Sequence, residues 1–272
     1  MTITLEGGIT LFGIILTPQP PPENTAAWFG GGYSGVSSTV DRITFATDTA
    51  TASVRGQLSS GRSVLAAASN FNYGWFGGGV SPSIGSIYSL VDRITYATDT
   101  ATASVRGPLS LARTQLAAAG NTTDAWFGGG FPGPLSTVDR ITYTTDTATA
   151  SVRGPLSSTS RSLAAVGNSD YGWFGGGRPG PGLGPGPVST VDRITYATDT
   201  ATASVRGPLS SSVYNMAAAG NTTDAWFGGG DTYPVTVSTV QRITYATDTA
   251  TASVRGPLSH ATQRLAAAGG IQ

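Results

Sequence analysis

The stretch Leu116 to Ser157 reads LAAAGNTTDAWFGGGFPGPLSTVDRITYTTDTATASVRGPLS, and it contains four short runs with strand character, separated by turn chemistry. The runs are Leu116 to Gly120, Ala125 to Gly130, Thr137 to Tyr143 and Ala148 to Arg153. Alanine is a poor strand former by propensity, so the first run makes sense only where space is scarce. A run of small side chains suits the innermost strand of a ring, crowded against an axis.

The same unit recurs along almost the whole chain. WFGGG starts at Trp28, Trp75, Trp126, Trp173 and Trp226, which are all the tryptophans of the 272 residues, and the spacings are 47, 51, 47 and 53. Periods near 50 residues with four strands per unit correspond to propeller blades rather than to helical solenoid turns. The first unit begins at its second strand (Ala26 to Gly32), and the chain ends with a surplus first strand (Leu265 to Gly270). Together they complete a blade, and joining the termini in this way removes free sheet edges. The expectation is an all-β, five-bladed β-propeller over residues 23–272, its ring closed by the C-terminal strand, preceded by a strand-like arm and spacer over residues 1–22.

Within each unit, Thr-Asp-Thr between the third and fourth strands (Thr47, Asp48, Thr49 in the first) reads as a hairpin turn in which the side chains bond their own backbone. A three-residue loop there would set Asp41 opposite Arg55. The pairing would recur as Asp92 with Arg106, Asp139 with Arg153 and Asp192 with Arg206, and Gln241 would break it opposite Arg255. Such cross-strand pairs contribute roughly 0.2–1 kcal/mol each. The glycine triplet permits a sharp strand exit. It lacks the lysine and helix start that a phosphate-binding loop needs. The sequons at Asn121 and Asn221 read as turns between strands.

Composition narrows the function classes. The formal net charge is zero, only 11% of residues are charged and every basic residue is arginine, so there is no footprint for tracking nucleic acid or an anionic membrane. Without cysteine there are no disulfides, no thiolate catalysis and no cysteine-ligated zinc. No apolar run approaches the roughly 20 residues of a membrane span, so membrane insertion is not expected. The first arginine is Arg42, and prolines follow the apolar opening, so a cleaved signal peptide is not expected either. The repeated aspartates are accounted for by pairing and turns, and the lone histidine, His260, has no repeated partner. No catalytic residues, metal site or cofactor are therefore expected, and the chain reads as non-enzymatic.

The near-identity of the units makes their differences informative. Two places vary. One follows GGG: Tyr33 to Ser38, Val80 to Leu90, Phe131 to Ser136, Arg178 to Ser189 and Asp231 to Ser238. The other follows GPLS: Ser60 to Val64, Leu111 to Gln115, Ser158 to Ser162, Ser211 to Asn215 and His260 to Arg264. In an up-and-down blade both kinds of loop lie on one face, and loops on a rigid scaffold are where recognition residues sit. The candidate partner-binding residues on this varied face are Tyr33, Tyr88, Phe131, Arg178, Tyr233, Arg62, Arg113, Tyr214 and His260. Aromatic and arginine side chains anchor protein and sugar contacts.

Residues 2 to 16, TITLEGGITLFGIIL, pattern as strand with an excess of apolar side chains, and a proline-rich spacer, Thr17 to Pro22, follows. Ile3, Leu5, Ile9, Leu11, Phe12, Ile14, Ile15 and Leu16 are read as an assembly arm that adds to a sheet edge in a neighbouring subunit.

WFGGG, then DRITY (DRITF at Asp41) with TDT, then SVRGPLS, over roughly residues 24 to 270, resembles the kelch-repeat propellers; the departure is a valine such as Val54 where many kelch units place tryptophan. Joined to the apolar opening, the near-identical units also resemble virion structural proteins of marine and cyanobacterial tailed phages. That resemblance implies a tail, fibre or capsid-surface component. Its arm would bind virion or other assembly proteins, and its varied face a host surface receptor, a glycan or a neighbouring virion protein. It would act as a homo-oligomer within a larger assembly. The alternative is a free propeller-type lectin with about one sugar site per blade, extracellular or on a bacterial surface.

Overall fold

The computed structural model describes residues 3–4, 10–11, 25–32, 37–81, 83–133, 135–180, 186–265 and 267. Its sheets are antiparallel and follow chain order from the inside out. The blade built from the quoted stretch has strands Ala117–Gly120, Asp124–Gly128, Val138–Thr142 and Ser151–Arg153. Blades are numbered 1 to 5 by their tryptophans, Trp28 to Trp226, so this one is blade 3. Blades 2, 4 and 5 also have four strands, and blade 1 has three: Ala26–Gly30, Val40–Thr44 and Ser53–Val54. Of the closing segment Leu265 to Gly270, only Leu265 and Ala267 are described. Leu265 lies against Gly229 of blade 5, the Arg264 N–H donates to the Asn215 carbonyl at 2.7 Å, and Ala267 lines the axial cavity with Ala26. The pairing of that segment with blade 1 lies outside the described residues. At the amino terminus, Ile3–Thr4 pairs with Thr10–Leu11 as a hairpin, and the remainder of the arm and the spacer also lie outside the described residues.

The hydrophobic core lies between blades rather than within them. Each of its four clusters joins a tryptophan of one blade to the phenylalanine and isoleucine of the next: Trp75 and Val91, for instance, pack with Phe127 and Ile141. The tryptophan ring stacks on a tyrosine of the following blade in four junctions, Trp28 on Tyr96, Trp75 on Tyr143, Trp126 on Tyr196 and Trp173 on Tyr245, at 3.7–4.0 Å between centroids. Stacked pairs of this kind contribute about 0.5–1.5 kcal/mol beyond the area they bury. WFGGG fits this packing. The strand of blade 3 ends at Gly128, and Gly129 and Gly130 turn out of it at φ 71° and 118°. There the backbone of Gly129 runs so close to the Ser160 carbonyl that a side chain would collide with it.

The hairpin after the third strand differs from the expected three-residue loop. Tyr143–Thr145 forms a turn of 3₁₀ helix, as its equivalents do in every blade, and the longer connection shifts the register by one residue. Asp139 therefore faces Val152, with Arg153 opposite Val138; Asp41, Asp92 and Asp192 likewise face Val54, Val105 and Val205. Gln241 faces Val254 rather than Arg255. The expected pairs within blades are not formed, because a one-residue slip sends each side chain to the opposite face of the sheet.

The charges pair across blade junctions instead. Asp146, at the tip of the blade 3 hairpin, accepts from Trp75 Nε1 at 2.9 Å and Arg93 at 2.9 Å, both in blade 2. Arg106 of blade 2 also approaches it at 3.6 Å. Asp99, Asp199 and Asp248 repeat this staple with Trp28, Trp126 and Trp173 and the matching arginines. The aspartate of Thr-Asp-Thr thus serves its neighbour's indole and guanidiniums, not its own turn. At the junction of blades 5 and 1 the equivalents stand apart: Asp48 and Arg255 are exposed, and Phe45, in the place of the stacking tyrosine, is 48% exposed.

Candidate functional site

The two families of variable loops meet on one face. Antiparallel bridges tie each loop entering a blade to the loop beyond that blade's glycines: Ser63 with Val80, Thr114 with Phe131, Arg161 with Arg178 and Tyr214 with Asp231. At the start of the inner strands, Val64, Gln115, Ser162, Asn215 and Arg264 all adopt φ between 55° and 59°. This left-handed conformation costs a β-branched residue such as valine most. Backbone bonds run round the mouth of the ring from one of these residues to the next: Gln115 N–H to Val64, Ser162 to Gln115, Asn215 to Ser162 and Arg264 to Asn215. Inside this belt opens a funnel of about 1110 Å³ that all five blades line. A smaller cavity of about 400 Å³, walled mainly by the inner-strand alanines, opens at the other end of the axis.

The candidate residues divide sharply on this frame. Arg178 and Tyr214 line the funnel, as does Arg161: the Arg178 guanidinium lies 4.9 Å from the Tyr214 ring centre and 5.6 Å from that of Tyr233, and Arg161 lies over Phe131 at 5.5 Å. Tyr233 is 65% exposed. Tyr88 is half-buried under the blade 2 loop, its backbone tied to Gly79 and Arg113. His260 is exposed and bonded to Ser259 at 3.0 Å. Tyr33 lies outside the described residues, and of the arm residues only Ile3 and Leu11 are described.

Arg62 and Arg113 are not displayed. Both are wholly buried, Arg62 against Asp92 and Arg113 against Asp139, each at 2.8 Å. Arg113 also donates to the carbonyls of Gly129, Thr137 and Phe127. The loop position three residues before the inner-strand leucine turns its side chain into the blade, so a guanidinium there becomes core. Burial holds Arg113 below the usual arginine range even though Asp139 opposes the shift. The corresponding position in blade 4 is Ser160, which leaves Asp192 with the Ser157 N–H at 2.9 Å and one oxygen unpartnered; burial pushes the Asp192 carboxyl up. Blade 5 has Val213 with Gln241, whose Oε1 accepts from Ser210 Oγ at 2.7 Å.

The sequence reading passed over Arg161. It stands two residues before its leucine, not three, and that single step moves the side chain from the core to the funnel. The sequons serve as turns, as expected: Asn121 Oδ1 accepts from the N–H groups of Thr123 and Asp124, and Asn221 does the same for Thr223 and Asp224. The stacked tyrosines are held neutral by burial, with Tyr96 pushed up to about 12 and Tyr143, Tyr196 and Tyr245 also raised. They belong to the junctions rather than to a reactive site.

Four-stranded antiparallel blades in a ring, with their variable loops round an axial funnel, define a five-bladed β-propeller. Among solved structures the chain is similar to that of YjhT, with a TM-score of 0.73 at 13% sequence identity over 91% of this chain and 85% of that one. Likeness at this identity concerns the fold alone. No protein-family model matches the chain, and no curated protein matches it by sequence.

Proposed function

We propose that the protein is a non-enzymatic structural and interaction component of a virion, with kelch-like blades. Its varied face engages a host receptor or a neighbouring virion protein, and its N-terminal arm anchors it, as a homo-oligomer, in the particle. The observation that carries the interaction role is the contrast between the two faces. On the constant face the hairpin aspartates are engaged by the neighbouring blade at four junctions, whereas on the varied face Arg161, Arg178 and Tyr214 line one concavity, with Phe131 and Tyr233 against the two arginines. Rigid scaffolds carry recognition on loops of this kind. The virion assignment rests on the near-identical units and on the apolar arm. The funnel and the smaller cavity are both axial and lined by all five blades, which favours one shared site over a lectin with one sugar site per blade.

The test is made on particles purified from the source. Mass spectrometry should find the chain in them, and a chain lacking residues 1 to 16 should no longer be incorporated. Replacing Tyr88, Phe131 and Tyr233 together by alanine should keep incorporation and reduce attachment to host cells by at least tenfold. Unchanged attachment would reject the varied face as the binding surface, and multivalent binding to simple sugars on a glycan array would favour the lectin.

A further inference from the structure

We infer that blade 4 carries a buried site for a small guanidinium ion, free or as a monoalkyl derivative, between Asp192, Ser160 and the carbonyls of Phe174, Gly176 and Thr190. The site lies within the blade and is separate from the recognition proposed for the loops of the varied face.

Blades 2 and 3 show what this frame holds when its loop supplies an arginine. Arg113 Nη1 donates to the carbonyls of Gly129 and Thr137 at 3.1 and 2.8 Å, and Nη2 donates to the Phe127 carbonyl at 3.1 Å and to Asp139 Oδ2 at 2.8 Å. Arg62 likewise joins the Phe76 carbonyl to Asp92 Oδ2, at 3.0 and 2.8 Å.

Blade 4 has the same backbone around this point. Phe174 pairs with Asp192 and Gly175 with Val191, as Phe127 does with Asp139 and Gly128 with Val138. The Gly176 N–H donates to the Thr190 carbonyl at 2.9 Å, as Gly129 does to Thr137 at 3.1 Å. Both glycine pairs turn at positive φ, 63° and 98° in blade 4 against 71° and 118° in blade 3. The Ser157 N–H reaches Asp192 Oδ2 at 2.9 Å, as the Ser110 N–H reaches Asp139 Oδ2. Ser160 Oγ donates to the Gly176 carbonyl at 3.2 Å, the equivalent of a carbonyl that Arg113 Nη1 serves. The acceptors that converge on a guanidinium in blade 3 therefore converge in blade 4 as well.

What differs is the cation. Ser160 ends where the arginine side chain continues, and among the described residues no arginine pairs with Asp192, whose Oδ1 has no partner. Ser160 and Asp192 keep 6% and 4% of their surface accessible, whereas Arg113 and Asp139 keep none, so neighbouring side chains have not closed over the difference. In blade 5 both charges are replaced together, by Val213 and Gln241, and in blade 1 the matching Asp41 is only half-buried. Blade 4 keeps a buried carboxylate and gives up its counter-ion, a costly arrangement unless a cation is supplied.

The geometry also selects the ion. In blade 3 the four acceptors are served from two nitrogens, two by each. A bare metal ion needs its oxygens about 2.0–2.6 Å from a single point, whereas a planar fork of N–H donors spans both sets. Methylguanidinium is an arginine side chain from Cδ outward, and Ser160 Oγ is the atom that corresponds to Cγ.

Thermal unfolding of the full chain at pH 7 tests this. Methylguanidinium chloride in the millimolar range should raise the Tm of the wild type above that in tetramethylammonium chloride of equal ionic strength, because a ligand bound only by the folded state stabilises it. Tetramethylammonium carries the same charge with no N–H to donate. Calorimetric titration should find one site per chain. Ser160→Arg, which supplies the guanidinium from the chain itself, should raise the Tm without ligand and weaken the titrated affinity by tenfold or more. Asp192→Asn, which keeps an acceptor for Ser157 and removes the charge, should weaken it as much.

No shift in the wild type, or a response that survives in both variants, overturns the site. A shift by sodium or calcium chloride as large as that by methylguanidinium shows a bare-ion site and overturns the guanidinium assignment. Circular dichroism establishes that both variants fold, and if Ser160→Arg does not, the titration of Asp192→Asn decides.

Discussion

Blades 3 and 4 carry the same VDRIT strand and the same WFGGG, yet their buried polar centres are different. In blade 3, Asp139 is closed off by Arg113 at 2.8 Å, with Ser110 N–H and Oγ completing its shell at 2.9 and 2.6 Å. In blade 4, Asp192 keeps the serine of the preceding loop, Ser157, but Ser160 replaces the arginine, and one carboxylate oxygen has no partner. Blade 5 replaces the carboxylate as well, with Gln241 accepting from Ser210. What persists through all three is an acceptor that seats the serine after RGPL of the blade before. The ion pair is an addition to that joint, so charge here is exchangeable and the acceptor is not.

The largest effect expected of any change to this comparison comes from removing the cation of blade 3. Arg113→Ala would leave Asp139 buried without its counter-ion and would take one donor from each of three carbonyls. Breaking a buried pair from one side costs about 3–5 kcal/mol. Equilibrium denaturation should show a loss of that size. A loss below about 1 kcal/mol would mean that blade 3 tolerates an isolated carboxylate as blade 4 does, and the distinction between them would disappear.

The staples should respond next. Asp146→Ala removes the acceptor of Trp75 Nε1, which is fully buried, and an unsatisfied buried donor costs about 1–3 kcal/mol. Asp48 occupies the same place in its unit, but it is exposed, and among the described residues no contact ties it to Trp226 or Arg242, so Asp48→Ala should leave stability unchanged. Measuring both variants by the same denaturation assay sets the four stapled junctions against the fifth. Equal losses would show that Asp48 closes the ring in solution as Asp146 does within it.

Blade count, strand order and the role of WFGGG could be read from the period and from the alanine run, because those depend on one unit and its neighbours being alike. Pairing could not be read, and for the same reason. When Asp139 and Asp192, or Arg106 and Arg153, sit in identical surroundings, the sequence does not say whether a charge is meant for its own blade or the next. The 3₁₀ turn at Tyr143–Thr145 decides this by shifting the register by one residue, and its sequence, YTT or YAT, has no proline or glycine to mark it. The site was legible in part. Counting variable loops located the face, and Tyr214, Tyr233 and Arg178 fall there, but Arg62 and Arg113 were indistinguishable from display residues until burial was known. The signal that sorts them is the distance to the following leucine: Arg62 and Arg113 precede Leu65 and Leu116 by three residues, whereas Arg161 precedes Leu163 by two.

The smallest effect concerns Asp192 and depends on pH. Burial raises its carboxyl in the folded state, and the bonds from Ser157 oppose this only in part. A carboxyl raised on folding binds its proton more tightly in the native than in the unfolded chain. Its favourable contribution is therefore complete below the unfolded value of about 3.9 and is lost as pH rises through the folded one. At pH 7 the unpaired carboxylate is a burden, and Asp192→Asn, which keeps an acceptor for Ser157 as Gln241 does for Ser210, should stabilise the protein by less than about 1 kcal/mol. Denaturation midpoints of wild type and Asp192→Asn should converge as pH falls towards 3 and separate towards 7. Parallel midpoints for Asp192→Asn and wild type across the range would mean that Asp192 has found a counter-charge, and the contrast between blades 3 and 4 would be one of partner identity alone.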